Sequence, residues 1–175
     1  MPDLRFLLAT LAALALLASC AGPRQSGFRD AAQPIASAAM FEPARFAGQW
    51  HVVARYPRTA DQACAGETMD YGEGTMRWQC LSADGAVARE WSGPALPQTY
   101  PGRFTTDLGA DFGLRNLWVL WVDFDYRTAV IGTPGGEAGY IINRSPTIPA
   151  DRMTAAREML DFNGYDVGRL VTLAR

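Results

Sequence analysis

Between Trp50 and Arg144 the sequence breaks into eight short β-rich runs, and this pattern limits the possible folds more than any other feature of the chain. The runs are Trp50–Tyr56, Glu67–Tyr71, Thr75–Leu81, Val87–Trp91, Arg103–Asp107, Leu117–Asp123, Tyr126–Ile131 and Tyr140–Asn143. Turn residues separate them: Gly72-Glu73-Gly74, Ala83-Asp84-Gly85, Gly93-Pro94, the stretch 109–113 and Thr133-Pro134-Gly135-Gly136. Short strands at such spacing predict an all-β sandwich or barrel. Hairpin-length connections favour an up-and-down meander, which removes its unpaired edges by closing on itself. Residues 149–163 differ in kind: Met153, Ala156, Met159 and Leu160 recur at helical spacing, and Asn163-Gly164 supply a stop. The expected fold is therefore all-β: an eight-stranded antiparallel up-and-down β-barrel, one C-terminal α-helix, and a short final strand over Val167–Leu173.

Composition removes most reaction chemistry. All 16 basic residues are Arg, so Schiff-base lysines and the lysine-bearing phosphate loop are excluded. A single His rules out multi-histidine metal sites, and neither a metal nor a cofactor is expected. The net charge of −2 argues against a nucleic-acid partner. Three Cys is an odd number that needs an explanation.

Part of it lies at the N-terminus. Phe6 to Ala18 form a weakly polar to apolar run of 13 residues behind Arg5. That is short of the roughly 20 needed to span a bilayer and has the length of a signal-peptide core. Leu17-Ala18-Ser19-Cys20 resembles a bacterial lipobox, which implies cleavage before Cys20 and lipidation of its thiol. The resemblance implies a lipoprotein signal peptide over 1–19 and a lipidated Cys20. Residue 21 is Ala rather than Asp, which in lipoproteins of enteric-type bacteria favours the outer membrane. Residues 20–40 then read as the lipidated Cys followed by an Ala-, Gly-, Ser- and Pro-rich flexible tether, and the barrel domain as 41–175.

Three motifs in the domain point the same way. Gly48-Gln49-Trp50 opens the first strand, and Asp123-Phe124-Asp125-Tyr126-Arg127 spans the turn between the sixth and seventh. Arg144, in Asn143-Arg144-Ser145-Pro146, closes the eighth. Their order and spacing over residues 41–173 resemble the signatures of the lipocalin family, in particular bacterial outer-membrane lipoprotein lipocalins and apolipoprotein D. The resemblance implies structural roles for Gly48, Trp50, Asp123 and Arg144, with Arg144 across the Trp50 indole at the closed end of the barrel. No residue is assigned as catalytic. It also implies binding of a small hydrophobic ligand, a fatty acid or lysophospholipid, for lipid transport or storage in membrane maintenance. The expected location is the outer membrane, lipid-anchored, with the barrel in the periplasm and with lipoprotein processing and sorting machinery as transient partners.

If Trp50 points inward, strict alternation places Val52, Ala54 and Tyr56 in the lumen with it, and His51, Val53 and Arg55 outside. The same rule puts Trp118, Leu120 and Val122 inside on the sixth strand and Trp121 outside, under the helix. A two-residue turn at Gly72-Glu73 sets Met69 opposite Met76 and Glu67 opposite Trp78 on one face. With Phe104 and Tyr140 the predicted ligand-binding lining is aromatic and Met-rich, which suits a flexible apolar ligand. The mouth loops contain Arg58, Asp61, Asp84, Asp111, Arg115 and Glu137, and Arg58 or Arg115 is a candidate for a carboxylate or phosphate.

Cys64 and Cys80 lie in a domain with an export signal, where a pair is expected to be joined. The register above sets Ala65 opposite Cys80, so a bulge or ladder end is needed to bring Cys64 into place. The competing reading is a free, inward Cys80 serving a thiol-dependent enzyme that acts on a lipid in the barrel. A haem-type ligand is disfavoured because His51 faces outward.

Overall fold

A computed structural model describes residues 27–57 and 64–173. A short helix α1, Pro43–Phe46, turns the chain into β1, Gly48–Arg55. Then follow β2 (Gly66–Gly72), β3 (Thr75–Leu81), β4 (Val87–Pro97), β5 (Arg103–Thr106), β6 (Asn116–Val122), β7 (Thr128–Gly132) and β8 (Gly139–Asn143). Helix α2, Ala150–Phe162, precedes a 3-10 turn at Val167–Arg169 and the two-residue strand β9, Val171–Thr172. Each strand pairs antiparallel with the next, and β1 pairs with both β2 and β8, which closes the eight strands into a barrel. β9 bonds to β1 outside the ring, Arg55 facing Val171. The eight-stranded barrel with one C-terminal helix is the architecture expected from the pattern of runs.

The departures have local causes. Gly93-Pro94 reads as a turn but lies inside β4. There the strand leaves β3 at Thr75–Pro94 and takes up β5 at Ala95–Thr106. A Cβ on Gly93 would sit 2.0 Å from the Asp107 carbonyl oxygen, so this corner requires glycine. The β2–β3 turn is Glu73-Gly74, one residue later than predicted, with φ of 50° and 74°. That shift re-pairs Met69 with Trp78 and Glu67 with Cys80, while every side chain keeps its face. Of the expected last strand Val167–Leu173, only Val171–Thr172 pair as a strand, and Val167–Arg169 form the 3-10 turn, where Asp166 accepts from the Gly168 N–H and curls the chain.

Two apolar layers result. One lies inside the barrel, from Phe46 and Trp50 at one end to Phe112 and Tyr140 toward the other. The second lies between the wall and α2, where Ala156 and Leu160 meet Val53, Val130 and Ile141. Arg152 fastens the helix by donating to Thr128 Oγ1 at 2.9 Å and Asn143 Oδ1 at 3.1 Å.

The stretch expected to be a free tether is, from residue 27 onward, laid against the barrel. Phe28 stacks on Tyr56 with centroids 4.8 Å apart. Arg29 is buried and donates to the carbonyls of Asn163, Pro134 and Gln33. Further along, Ala38 bonds to Val119, and Tyr126 bridges Met40 and Glu42. Low apolar content hid this because backbone and Arg29 hydrogen bonds hold the strap.

Tyr165 locks the same corner, its one O–H proton shared between the carbonyl oxygens of Thr133 and Ala138 while its oxygen accepts from the Thr133 N–H. Burial pushes its pKa from 10.0 up to about 12. An unfolded tyrosine releases its proton near pH 10 while the folded one keeps it, so stability is full below pH 10 and falls from there to pH 12. Urea titrations at pH 9 and pH 11.5 should differ by about 2 kcal/mol from this residue. Tyr165→Phe should reduce that difference, leaving the part that comes from the buried Tyr56.

Candidate functional site

The closed end is built from the first and third motifs. Trp50 is fully buried; its Nε1 donates to the Phe46 carbonyl at 2.8 Å and its ring lies 4.9 Å from that of Phe46. Arg144 Cζ stands 3.7 Å over the Trp50 ring. Its guanidinium donates to carbonyls of Gln49, Arg45, Phe46, Ala47 and Tyr126 at 2.8–3.3 Å. Gly48 sits at φ 93°, a backbone conformation that L side chains rarely adopt, so the entry to β1 beside Arg144 favours glycine. Asp123 Oδ1 accepts from the N–H groups of Arg127 and Thr128, each at 2.6 Å, and so shapes the β6–β7 turn. These four residues hold one end of the barrel shut.

Above this plug the lumen is apolar. Val52, Met69, Met76, Trp78, Phe104 and Tyr140 share it with Tyr71, Leu117, Val119 and Phe112. Trp78 touches Tyr140 at 4.6 Å and Phe112 at 5.3 Å between centroids, and burial raises the Tyr71 pKa.

Ala54, Tyr56, Trp118 and Leu120 are not in this lining, contrary to strict alternation: they belong to the layer under α2. On β1 the register against β8 slips between Val52 and Ala54, so the alternation restarts one residue later. On β6 the inward residues are Leu117 and Val119, and a second slip between Val119 and Trp121 returns Val122 to the lumen side. Trp121 lies outside as expected. The buried Tyr56 hydroxyl has its pKa raised, first by desolvation and then by nearby Tyr165.

The slip on β1 has a chemical result: Arg55 turns into the lumen. Its Nε lies 2.6 Å from Glu67 Oε1, and Glu67 Oε2 accepts from Trp78 Nε1 at 2.7 Å. Both charged groups are buried. Two opposite charges side by side present a dipole inside an apolar wall.

The Cys64–Cys80 disulfide is present, with Cα atoms 5.2 Å apart. Closing a loop of this size contributes about 3 kcal/mol in the chain-entropy model. It also engages the inward Cys80, so neither sulfur is available as a nucleophile in this state. His51 lies between the inward Trp50 and Val52 and hence on the opposite face.

At the mouth, Arg115 is ion-paired with Asp107 at 2.7 Å, both exposed. Asp84 closes its own turn, accepting from Ser82 and Ala86, and the Ser82 bond lowers its pKa. Asp111 and Glu137 are exposed, and Arg58, Asp61 and Cys20 lie outside the described residues. A cleft of about 270 Å³ at the rim runs between Arg115 and Glu137.

The family model that matches this chain is described as a lipocalin-like domain and covers residues 41–175. No curated protein matches. Among solved structures, lipocalin 12 from rat epididymis is 15% identical, with 85% of this chain and 92% of that chain covered and a TM-score of 0.61. Lobster apocrustacyanin A1 is 14% identical over 75% of this chain and 78% of its own, with a TM-score of 0.53. Apocrustacyanin C2 is 13% identical with the same coverage and a TM-score of 0.52. At such identities these structures speak to the fold alone.

Proposed function

Because the chain belongs to the lipocalin-like domain family, we propose that it is a lipid-anchored carrier that holds one acyl-chain lipid, a fatty acid or lysophospholipid, in its barrel. Small hydrophobic ligands are what the fold accommodates. The observation that carries the finer reading is the barrel interior itself, a Met- and aromatic-lined wall with the Arg55–Glu67 pair set in it. Met69 and Met76 deform around a flexible chain, and Phe104 and Trp50 close its path below. Arg55 and Glu67 meet the polar end, nearer the mouth.

Cys20 supplies the anchor, in the manner of the bacterial outer-membrane lipoproteins that the signatures resemble. Several acyl chains at about 0.8 kcal/mol per buried methylene make that attachment stable. The carrier then works at the outer membrane with its barrel in the periplasm, moving or storing lipid for membrane maintenance. Both sulfurs of the domain being engaged, a thiol-dependent reaction has no nucleophile there.

Titration of the delipidated protein with oleate or lysophosphatidylethanolamine should quench tryptophan fluorescence saturably at one ligand per chain. Micromolar or tighter affinity, about −8 kcal/mol, is expected. Trp78→Phe should remove most of the signal change. An unsaturable response, with no lipid co-purified in native mass spectrometry, would overturn the proposal.

A further inference from the structure

The strap determines where the chain leaves the barrel. Gly27 packs against Gly135 and Gly136 in the β7–β8 turn, where a Cβ would sit 2.6 Å from either carbonyl oxygen. Phe28 N–H bonds to the Gly136 carbonyl at 2.6 Å, and Arg29 Nη1 reaches the Pro134 carbonyl at 2.8 Å. The turn is on the open rim, at the opposite end from the Trp50–Arg144 plug, because alternate connections of a meander fall at opposite ends. From there the strap descends the wall to Tyr126 at the closed end. Upstream chain therefore starts at the mouth.

Resting on the anchor reading of Cys20, we propose that the barrel stands mouth-down on the membrane, its open rim facing the lipid surface and its plugged end pointing away. Seven residues lead from Cys20 to Gly27, a reach of about 25 Å at most. The wall, about eight residues per long strand, is itself roughly 20–25 Å tall. Reaching the closed end would consume the whole link running back along the wall, whereas the rim lies at its start. In the mouth-down pose an acyl chain passes between bilayer and lumen with little exposure to water. The closed end carries its own exposed apolar residues, Met40, Tyr100 and Phe124, so the opposite pose is the one to test against.

The test uses full-length lipidated protein on phosphatidylethanolamine–phosphatidylglycerol vesicles containing nitroxide-labelled lipid. A fluorophore is placed at the rim through Ala110→Cys or at the closed end through Tyr100→Cys, both exposed positions. The rim label should be quenched at least threefold more than the closed-end label. A flexible insertion of about twenty residues between Cys20 and Gly27 should reduce that contrast below 1.5-fold, as should Arg29→Ala, which frees the strap. Equal quenching, or stronger quenching at Tyr100→Cys, overturns the orientation while leaving the anchor intact, provided that flotation is lost in Cys20→Ser. Flotation that survives Cys20→Ser overturns the anchor and this pose together.

Discussion

Replacing Glu67 with Leu while Arg55 stays in place should cost the domain about 3–5 kcal/mol, because a buried guanidinium loses the carboxylate 2.6 Å from its Nε. For a domain of this size that lowers the melting temperature by roughly 10 °C or more. The same change removes the acceptor of the Trp78 indole N–H. The double substitution Arg55→Met with Glu67→Leu should recover most of the loss, since two apolar side chains of similar volume need no desolvation of charge. Urea unfolding of the wild type, Glu67→Leu, Arg55→Met and the double variant gives the coupling energy as a double-mutant cycle. If Glu67→Leu costs under 1 kcal/mol, the pair is solvated in the lumen and the dipole assigned to it is absent. The double variant also tests ligand preference: with the polar pair gone, a lysophospholipid should lose affinity relative to a plain hydrocarbon.

The second large effect is expected at the plug. Arg144→Ala withdraws one guanidinium from five backbone carbonyls and from the Trp50 ring face. Several of those carbonyls are partly wet, so the cost should be about 2–4 kcal/mol rather than the sum of six buried contacts. Arg144→Lys should restore less than half, because an ammonium cannot both stack flat on the indole and reach carbonyls on two sides. Near-ultraviolet circular dichroism separates this from a general loss of stability: the signal of the clamped Trp50 should collapse in Arg144→Ala under conditions where the far-ultraviolet spectrum is unchanged. A near-native Trp50 signal in that variant would show that the plug is held by Phe46 and α1 alone.

How far the fold was legible depends on which signal each part sent. Turn residues and β-rich runs mark all eight barrel strands, since hairpin turns demand Gly, Asn or Asp at fixed places. β4 was cut short because Gly-Pro marks a loop and a strand corner alike, and only the Asp107 backbone pressed against Gly93 tells them apart. Half the lumen followed from alternation. Met69, Met76 and Trp78 kept their face even though the turn moved by one residue, because the register changed by two. Ala54 and Tyr56 were lost to the slip after Val52, and Trp118 and Leu120 have their side chains on the opposite face of β6. A slip of register leaves no mark in composition or periodicity. The one hint was Arg55 itself: Glu67 was placed inward from sequence, and an inward carboxylate needs a cation that strict alternation did not supply.

Closure of this barrel joins segments from opposite ends of the domain, β1 and β8, and the strap adds the bond from Arg29 to Asn163, 134 positions away in sequence. Such long-range pairing cannot form until nearly the whole chain has been delivered, so folding should be slow and late relative to synthesis. Until then β1 and β8 are bare edges, each able to pair with a neighbouring chain. A polypeptide that emerges N-terminus first therefore presents its most vulnerable strand early and must wait for the last strand to cover it. That makes the time between emergence and closure, rather than equilibrium stability, the period when this chain most needs a chaperone.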